Sequence, residues 1–185
     1  MTTEQLKNNL IEIETRLGGV HRVPPGIHSP LDPREKFGNM RGGDRMVLHG
    51  YADIYAKHLI RFIGQSPVIV EIGVLKGTGL KMWRRLFPQS RIIGLDIDLS
   101  NCALSDNDNI ELYEFDQFKP DMSFLKSDKA DIVIDDGCHI DEAILKTWEA
   151  FKPHLADSYV YFVEDNVPIQ DQLPIKDYDG RIAVL

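Results

Sequence analysis

The sequence has few cysteines, no basic block and no long apolar run, and each absence narrows the range of functions. Its two cysteines, Cys102 and Cys138, lie far apart and favour a reducing compartment over a disulfide framework, so we expect a cytoplasmic protein. Lys and Arg number 21 against 29 Asp and Glu, and the net charge of −8 argues against a nucleic-acid partner. No apolar run approaches the ~20 residues that a membrane span needs. The first residues also lack the pattern of a signal peptide, so no membrane partner is expected.

The composition is otherwise that of a globular protein, with 43% hydrophobic and 27% charged residues in a chain of 185. Residues 1–44 are predicted to form an N-terminal helix and a lid-like loop rich in Pro and Gly, and residues 45–185 the main domain. A second helix is predicted over residues 44–63. The first helix has an apolar face at Leu6, Leu10, Ile13 and Leu17. That face either covers the domain or pairs with a second copy of the chain. We favour pairing, and hence a homo-oligomer, because the predicted sheet looks incomplete.

From residue 68 onward, short apolar strands alternate with helices, which is the pattern of parallel βαβ units. Strands are predicted at 68–72, 91–96, 110–115, 130–134 and 159–163. The predicted fold class is therefore α/β, a Rossmann-like and mostly parallel sheet with helices on both faces. After the fifth strand only residues 181–185 look like a strand, so the C-terminal strands are expected to be incomplete.

A glycine-containing loop follows the first predicted strand and indicates a nucleoside cofactor. Gly73, Gly77 and Gly79 allow the backbone to approach a ligand closely, and Asp96 ends the next strand, where it can accept bonds from ribose hydroxyls. The glycine spacing differs from that of a dinucleotide loop, which disfavours an NAD-linked oxidoreductase. Glu71 would repel a pyrophosphate but suits the amino group of S-adenosylmethionine. The alternative is that these glycines only make a tight turn.

Acidic residues follow the fourth and fifth predicted strands and indicate a metal site. If the two strands are neighbours, Asp136, Glu164 and Asp165 meet at the carboxyl edge of the sheet, where a cation would relieve their repulsion. Carboxylate oxygens favour Mg²⁺, Mn²⁺ or Ca²⁺ over zinc. His139 lies close in sequence and is a candidate general base. The alternatives are that the acids only cap helices, or that Cys138 is a nucleophile, which the surrounding carboxylates disfavour.

These segments together form a recognisable pattern: Glu71-Ile-Gly-Val74, Gly94-Leu-Asp96-Ile-Asp98, Asp135-Asp136-Gly137-Cys138-His139 and Glu164-Asp165. Over residues 43–165 this pattern resembles the metal-dependent sugar O-methyltransferases of the macrocin and mycinamicin type. Cys138 stands where that family has a serine.

The resemblance implies a class I methyltransferase fold with S-adenosylmethionine and Mg²⁺ or Mn²⁺ as cofactors. It implies that the three acids named above bind the metal, that His139 is the base, and that Asp116 and Gln117 face the adenine. Asp136 is also expected to contact the cofactor. The implied acceptor is a hydroxyl of a sugar or related polyol in natural product or polysaccharide biosynthesis. Two alternatives stay open: the same chemistry on a catechol-like molecule, and a non-catalytic nucleotide-binding or assembly module.

Overall fold

The structure is a computed structural model that describes residues 1–17, 43–166 and 172–185. These residues form two compact units, Met1–Ile60 and Arg61–Leu185. The predicted lid-like loop falls almost entirely outside the described residues, and the predicted boundary after residue 44 stays a prediction. In the described ranges, no helix has the length and apolar character that crossing a bilayer requires.

The described residues of the first unit include the helices α1 (Thr3–Arg16) and α2 (Ala52–Leu59). A capping box between Thr2 and Gln5 begins α1, because each side chain accepts a hydrogen bond from the other residue's backbone N–H. Leu6, Leu10 and Ile13 are buried, and α1 packs against α2. The sequence left open whether this apolar face packs within the chain or against a second copy. The structure shows it buried within the chain.

Residues 44–51 are not helical, so the predicted helix over 44–63 is too long at its start. Gly50 has φ +80° and interrupts a helical path. The buried carboxylate of Glu14 accepts hydrogen bonds from the backbone N–H groups of Met46 (3.0 Å) and Val47 (2.9 Å). These bonds satisfy backbone donors in the turn and hold it on α1.

The second unit is built on one sheet of seven strands. They are β1 (Ile69–Ile72), β2 (Ile92–Asp96), β3 (Glu111–Glu114), β4 (Ala130–Asp135), β5 (Leu155–Glu164), β6 (Asp177–Asp179) and β7 (Ile182–Val184). Their order in the sheet is β3-β2-β1-β4-β5-β7-β6. The first five are parallel, and β7 runs antiparallel to both β5 and β6. The prediction of a mostly parallel sheet is confirmed.

Two helices, α3 (Thr78–Leu86) and α4 (Asp141–Phe151), cover opposite faces of the sheet. Val70 belongs to the buried cluster that includes Trp148 of α4. Glu71, the next residue on β1, points to the other face, where it accepts a hydrogen bond from the indole of Trp83 in α3. Helices therefore lie on both faces, as the alternation of strands and helices predicted.

The C-terminal end of the sheet corrects the prediction of incomplete strands. Two strands follow β5, each of three residues, where the sequence pattern predicted one. The first of them, β6, reads Asp177-Tyr178-Asp179 and has no apolar run to identify it. Its place in the sheet is set by a turn at Gly180, with φ +60°, and by pairing with the buried β7.

The strand order reverses between β1 and β4, which are neighbours in space but not in sequence. In an open α/β sheet, ligands bind beyond the carboxyl ends of the strands at such a switch point. The ends of β1, β2, β4 and β5 carry Gly73, Asp96, Asp136 and Asp165. The fold thus brings the predicted cofactor loop and the predicted metal residues to the same edge.

Candidate active site

The loop after β1 is packed directly on the end of β4. Gly73 has φ +88°, and a Cβ atom built on it would lie 1.9 Å from the backbone oxygen of Asp136. Only glycine therefore fits at this position. Gly77, with φ +81°, immediately precedes α3, and Gly79 lies in the first turn of that helix. The glycine loop does more than turn the chain, because its first residue packs directly on the backbone of Asp136, which follows β4.

Asp96, at the end of β2, fixes the conformation of the same loop. Its Oδ2 accepts hydrogen bonds from the backbone N–H groups of Val74 (2.7 Å) and Leu75 (3.1 Å), and its Oδ1 accepts one from Asp98 (3.0 Å). Each carboxylate oxygen has two lone pairs, so the two N–H donors already fill Oδ2, whereas Oδ1 can still accept one further hydrogen bond, such as that from a ribose hydroxyl. The ribose role of Asp96 stays a prediction, and a loop-holding role is now added to it.

A cleft of about 240 Å³ opens between these strand ends. It is lined by Ile72, Gly73, Asp96, Ile97, Phe115, Asp116, Gln117, Phe118, Gly137 and Cys138. Four of the predicted cofactor residues are among them: Gly73, Asp96, Asp116 and Gln117. Apolar walls with acids at the rim suit a planar base attached to a hydroxylated ring. The apolar lining residues were missed in the sequence, although each lies close to the end of β1, β2 or β3.

Glu71 is placed differently from what the sequence suggested. Its side chain is buried, accepts a hydrogen bond from the Trp83 indole, and is not among the described residues that line the cleft. The observed contact ties β1 to α3. A role for Glu71 at the methionine end of a cofactor stays a prediction.

Gln117 also turns its amide into the protein. Its Nε2 donates hydrogen bonds to Asp135 Oδ1 (2.8 Å) and Thr147 Oγ1 (3.3 Å), and its Oε1 accepts one from the Cys138 backbone N–H (2.9 Å). Burial raises the pKa of Asp135 to about 6, although hydrogen bonds from Tyr161 and Gln117 act against that rise. This network lies behind the cleft and was not predicted from the sequence.

Two of the three predicted metal ligands, Asp136 and Asp165, meet the predicted base, His139, at the carboxyl edge. Ligand atoms of Asp136, His139 and Asp165 all lie within 4.8 Å of one another, and His139 Nε2 is 3.9 Å from Asp136 Oδ1. His139 and Asp165 have φ values of 54° and 58°, a strained conformation for residues other than glycine. Two carboxylates and an imidazole form a donor set that fits Mn²⁺ or Mg²⁺. We call these three residues the acid–histidine cluster.

Residues on two further segments support the acid–histidine cluster. The side-chain amide of Asn166 donates hydrogen bonds to the His139 backbone oxygen (2.9 Å) and to Asp141 Oδ1 (2.8 Å). Arg181, in the turn between β6 and β7, lies 3.3 Å from Asp165 Oδ1. The C-terminal hairpin therefore contributes a positive charge next to a candidate ligand.

Glu164, the third predicted metal ligand, is the last residue of β5 and is buried. It is not a member of the cluster that the described residues form. Its role as a metal ligand stays a prediction, and so does the role of His139 as a base.

The fold and the site together define a class I methyltransferase fold, because a mostly parallel sheet places a glycine loop, an acidic strand end and a cleft at one carboxyl edge. The chain is similar in sequence to O-methyltransferases that act on sugars. The chain is 34% identical over 131 residues to mycinamicin VI 2''-O-methyltransferase of Micromonospora griseorubida, covering 64% of this chain and 32% of that protein. It is 30% identical over 128 residues to demethylmacrocin O-methyltransferase of Streptomyces fradiae, covering 64% and 32%.

A solved structure of the MycE methyltransferase in complex with Mg and SAH matches with a TM-score of 0.61 at 27% identity, over 85% of this chain and 37% of that chain. No family model matches the chain. The resemblance to sugar O-methyltransferases of the macrocin and mycinamicin type is confirmed. The chain spans about a third of the length of the curated relatives it matches.

Proposed function

We propose that the chain carries the catalytic core of an S-adenosylmethionine-dependent O-methyltransferase that acts on a hydroxyl of a sugar or related polyol with the help of Mg²⁺ or Mn²⁺. The observation that carries the proposal is the contact between Gly73 and Asp136, which joins the cofactor loop to the acid–histidine cluster. A methyl donor in the cleft and an acceptor at the cluster would be neighbours. The named relatives are sugar O-methyltransferases, which supports the choice of acceptor.

Different side chains would bind the cofactor and the cation. Asp96 would accept a hydrogen bond from a ribose hydroxyl through Oδ1, and the adenine ring of the cofactor would pack on the apolar wall of the cleft, which includes Ile97 and Phe118. Asp136 and Asp165, with Glu164 as a predicted third ligand, hold a divalent cation, which lowers the pKa of a hydroxyl bound next to it.

His139 takes the proton from the acceptor hydroxyl as the oxygen attacks the methyl carbon. The new O–C bond forms as the S–C bond breaks, and the sulfonium becomes a neutral thioether. Most of the rate comes from holding the oxygen, carbon and sulfur in line. The left-handed backbone at His139, whose carbonyl oxygen accepts a hydrogen bond from Asn166, supports this role because it sets the direction in which the side chain leaves the backbone.

The wider setting of the reaction stays part of the proposal. We infer a small-molecule acceptor in natural product or polysaccharide biosynthesis, and we retain the composition-based predictions of a cytoplasmic location and of no nucleic-acid or membrane partner. Cys102 and Cys138, both in the described part of the chain, are free thiols, in keeping with a reducing compartment. Self-association of the chain is retained as a prediction.

Calorimetric titration with S-adenosylhomocysteine, with and without Mg²⁺, tests the cofactor part. The wild type should bind, and Asp96→Ala should lose about 1–3 kcal/mol of affinity, because it leaves ribose hydroxyls unpaired. Asp98→Ala is the matched control, since Asp98 is a nearby exposed acid that caps a short helical turn through Ser100. Equal affinities of the two variants would contradict the ribose assignment, and a wild type that binds no S-adenosylhomocysteine would contradict the proposal.

Methyl transfer to sugar and catechol acceptors tests the other part. We expect a product only with a hydroxylated sugar, and expect Asp165→Asn to lose divalent cation affinity while the exposed control Asp157→Asn keeps it. Transfer to a catechol alone would favour the alternative acceptor over the proposed one.

A further inference from the structure

Gln117 is the side chain that lines the cleft and also contacts the loop carrying two members of the acid–histidine cluster. It is 7% exposed. Its Oε1 accepts a hydrogen bond from the backbone N–H of Cys138, which lies between Asp136 and His139 in sequence. Its amide is thus committed to the protein and not to a ligand, although the residue forms part of the cleft wall.

The Nε2 atom of the same amide is hydrogen-bonded to a carboxylate that is itself held in the core. Gln117 Nε2 donates to Asp135 Oδ1 (2.8 Å), and Tyr161 donates its hydroxyl to Asp135 Oδ2 (3.1 Å). Asp135 is 2% exposed and belongs to the central strand β4. Because both carboxylate oxygens have partners in the core, Asp135 anchors the amide of Gln117 with little freedom.

The loop has no room to move independently of this amide. A Cβ atom built on Gly137 would lie 2.0 Å from Gln117 Oε1, so the amide packs against the bare backbone of that residue. Asp136 precedes Gly137, and His139 follows two residues later. A displacement of Gln117 would therefore shift both cluster residues relative to Asp165, which directly follows β5.

We infer that Gln117 is a positioning residue that joins the cofactor cleft to the cation site, so that a ligand in the cleft strengthens cation binding. The inference rests on the proposed function of the two sites. A ligand in the cleft would pack on the wall that Gln117 and Phe118 form, and would remove the freedom that the Asp135 anchor leaves to the amide. The amide in turn restricts the backbone of the loop between Asp136 and His139. Since coupling between two sites is reciprocal, the cation strengthens cofactor binding by the same factor.

Mn²⁺ titration of the full chain, with and without saturating S-adenosylhomocysteine, measures the coupling. In the wild type we expect the Mn²⁺ Kd to fall by at least about five-fold when S-adenosylhomocysteine is bound. In Gln117→Leu, which keeps a side chain of similar size but removes all three hydrogen bonds of the amide, the ratio should approach one. Tyr161→Phe is the control, because it removes a bond to the same Asp135 carboxylate but leaves the bonds of Gln117 to Asp135 and Cys138 in place, and it should keep the coupling.

Hydrogen exchange at the backbone of residues 136–140 gives a second readout that needs no ligand. Gln117→Leu should speed exchange of the Cys138 amide, which loses its acceptor, whereas Tyr161→Phe should not. If Gln117→Leu does not fold, Gln117→Asn carries the test, because its shorter amide cannot reach Asp135 and Cys138 together.

The outcomes separate this inference from the proposed function. A wild type that binds S-adenosylhomocysteine and Mn²⁺ independently overturns the coupling and leaves the proposed function standing. Coupling in the folded Gln117 variants equal to that of the wild type overturns the role of Gln117. A wild type that binds neither ligand overturns both.

Discussion

Gly73→Ala should damage the cofactor loop and the cation site at once, because Gly73 is where they touch. The new Cβ would lie 1.9 Å from the Asp136 backbone oxygen, and ordinary contact begins at 3.4 Å, so one backbone must move by about 1.5 Å. The obstacle is the backbone at the end of β4 and not a flexible side chain. The residue would also have to hold φ +88° with a side chain.

The magnitude follows from these two costs. A non-glycine residue in a left-handed conformation costs roughly 1–2 kcal/mol. Forcing an extra carbon into a filled site typically costs a further ~1–3 kcal/mol. We therefore expect Gly73→Ala to lower the free energy of unfolding by about 2–5 kcal/mol, and to weaken S-adenosylhomocysteine and Mn²⁺ binding together.

Gly64→Ala is the matched control. Gly64 has φ +84°, close to that of Gly73, but a Cβ built on it meets nothing within 4 Å. It should lose only the conformational part, roughly 1–2 kcal/mol, and keep both ligands. Urea unfolding followed by tryptophan fluorescence is suitable, because Trp83 and Trp148 are both buried in this unit.

Gly73→Ala that is no less stable than Gly64→Ala would refute the packing argument. A clear loss of stability with both ligand affinities unchanged would refute the link between loop and cluster. The expected pattern is a loss of stability and a loss of both affinities.

Three further predictions address the base, the sheet and the support of the cluster. His139→Ala should slow methyl transfer by roughly 10²–10⁴-fold with cofactor affinity kept and partial rescue at higher pH, and a loss of Mn²⁺ affinity equal to that of Asp136→Asn would contradict a base role. Hydrogen bonds from Arg91 lower the pKa of Glu111 from 4.5 to about 2, so Glu111 stabilises the fold fully above 4.5 and less as the pH falls towards 2. Because the pair is partly exposed, the gap in unfolding free energy between wild type and Glu111→Gln should be only about 1 kcal/mol at pH 7, and should close in acid. Asn166→Ala should weaken Mn²⁺ binding but spare S-adenosylhomocysteine in calorimetry, since Asn166 holds the backbone oxygen of His139.

Much of the sheet could be predicted because parallel strands buried on both sides must be apolar along their length. The runs that became β1, β2 and β4 read almost entirely as β-branched or aliphatic residues. β6 could not be found this way, since Asp177, Tyr178 and Asp179 are all partly or fully exposed. An edge strand of three residues is fixed by its neighbour and not by its own pattern.

The gathering of Asp136 and Asp165 at one edge was predictable for a similar reason. Both follow the ends of neighbouring parallel strands, and such ends share an edge whatever the side chains do. Their positions in the sequence, directly after two neighbouring parallel strands, therefore predict that they lie close together at this edge of the sheet.

The directions of individual side chains were not predictable. Gln117 lines the cleft as expected, yet its amide bonds to Asp135 and Cys138, because the bare backbone at Gly137 leaves a space that the amide fills. Glu71 turns to Trp83 because successive residues of a strand point to opposite faces. The direction of each of these side chains depends on residues that are distant in sequence, so it cannot be predicted from the sequence pattern around the residue itself.

The proposed function requires that a methyl donor and a divalent cation bind next to each other at the carboxyl edge of the sheet. Carbon NMR of S-adenosylmethionine labelled with ¹³C at its methyl group measures this directly, because Mn²⁺ broadens only nuclei close to it. In the wild-type complex we predict strong broadening of the methyl signal by Mn²⁺ but not by Mg²⁺, and its loss in Asp165→Asn. A bound methyl signal that stays sharp beside bound Mn²⁺ would contradict the account.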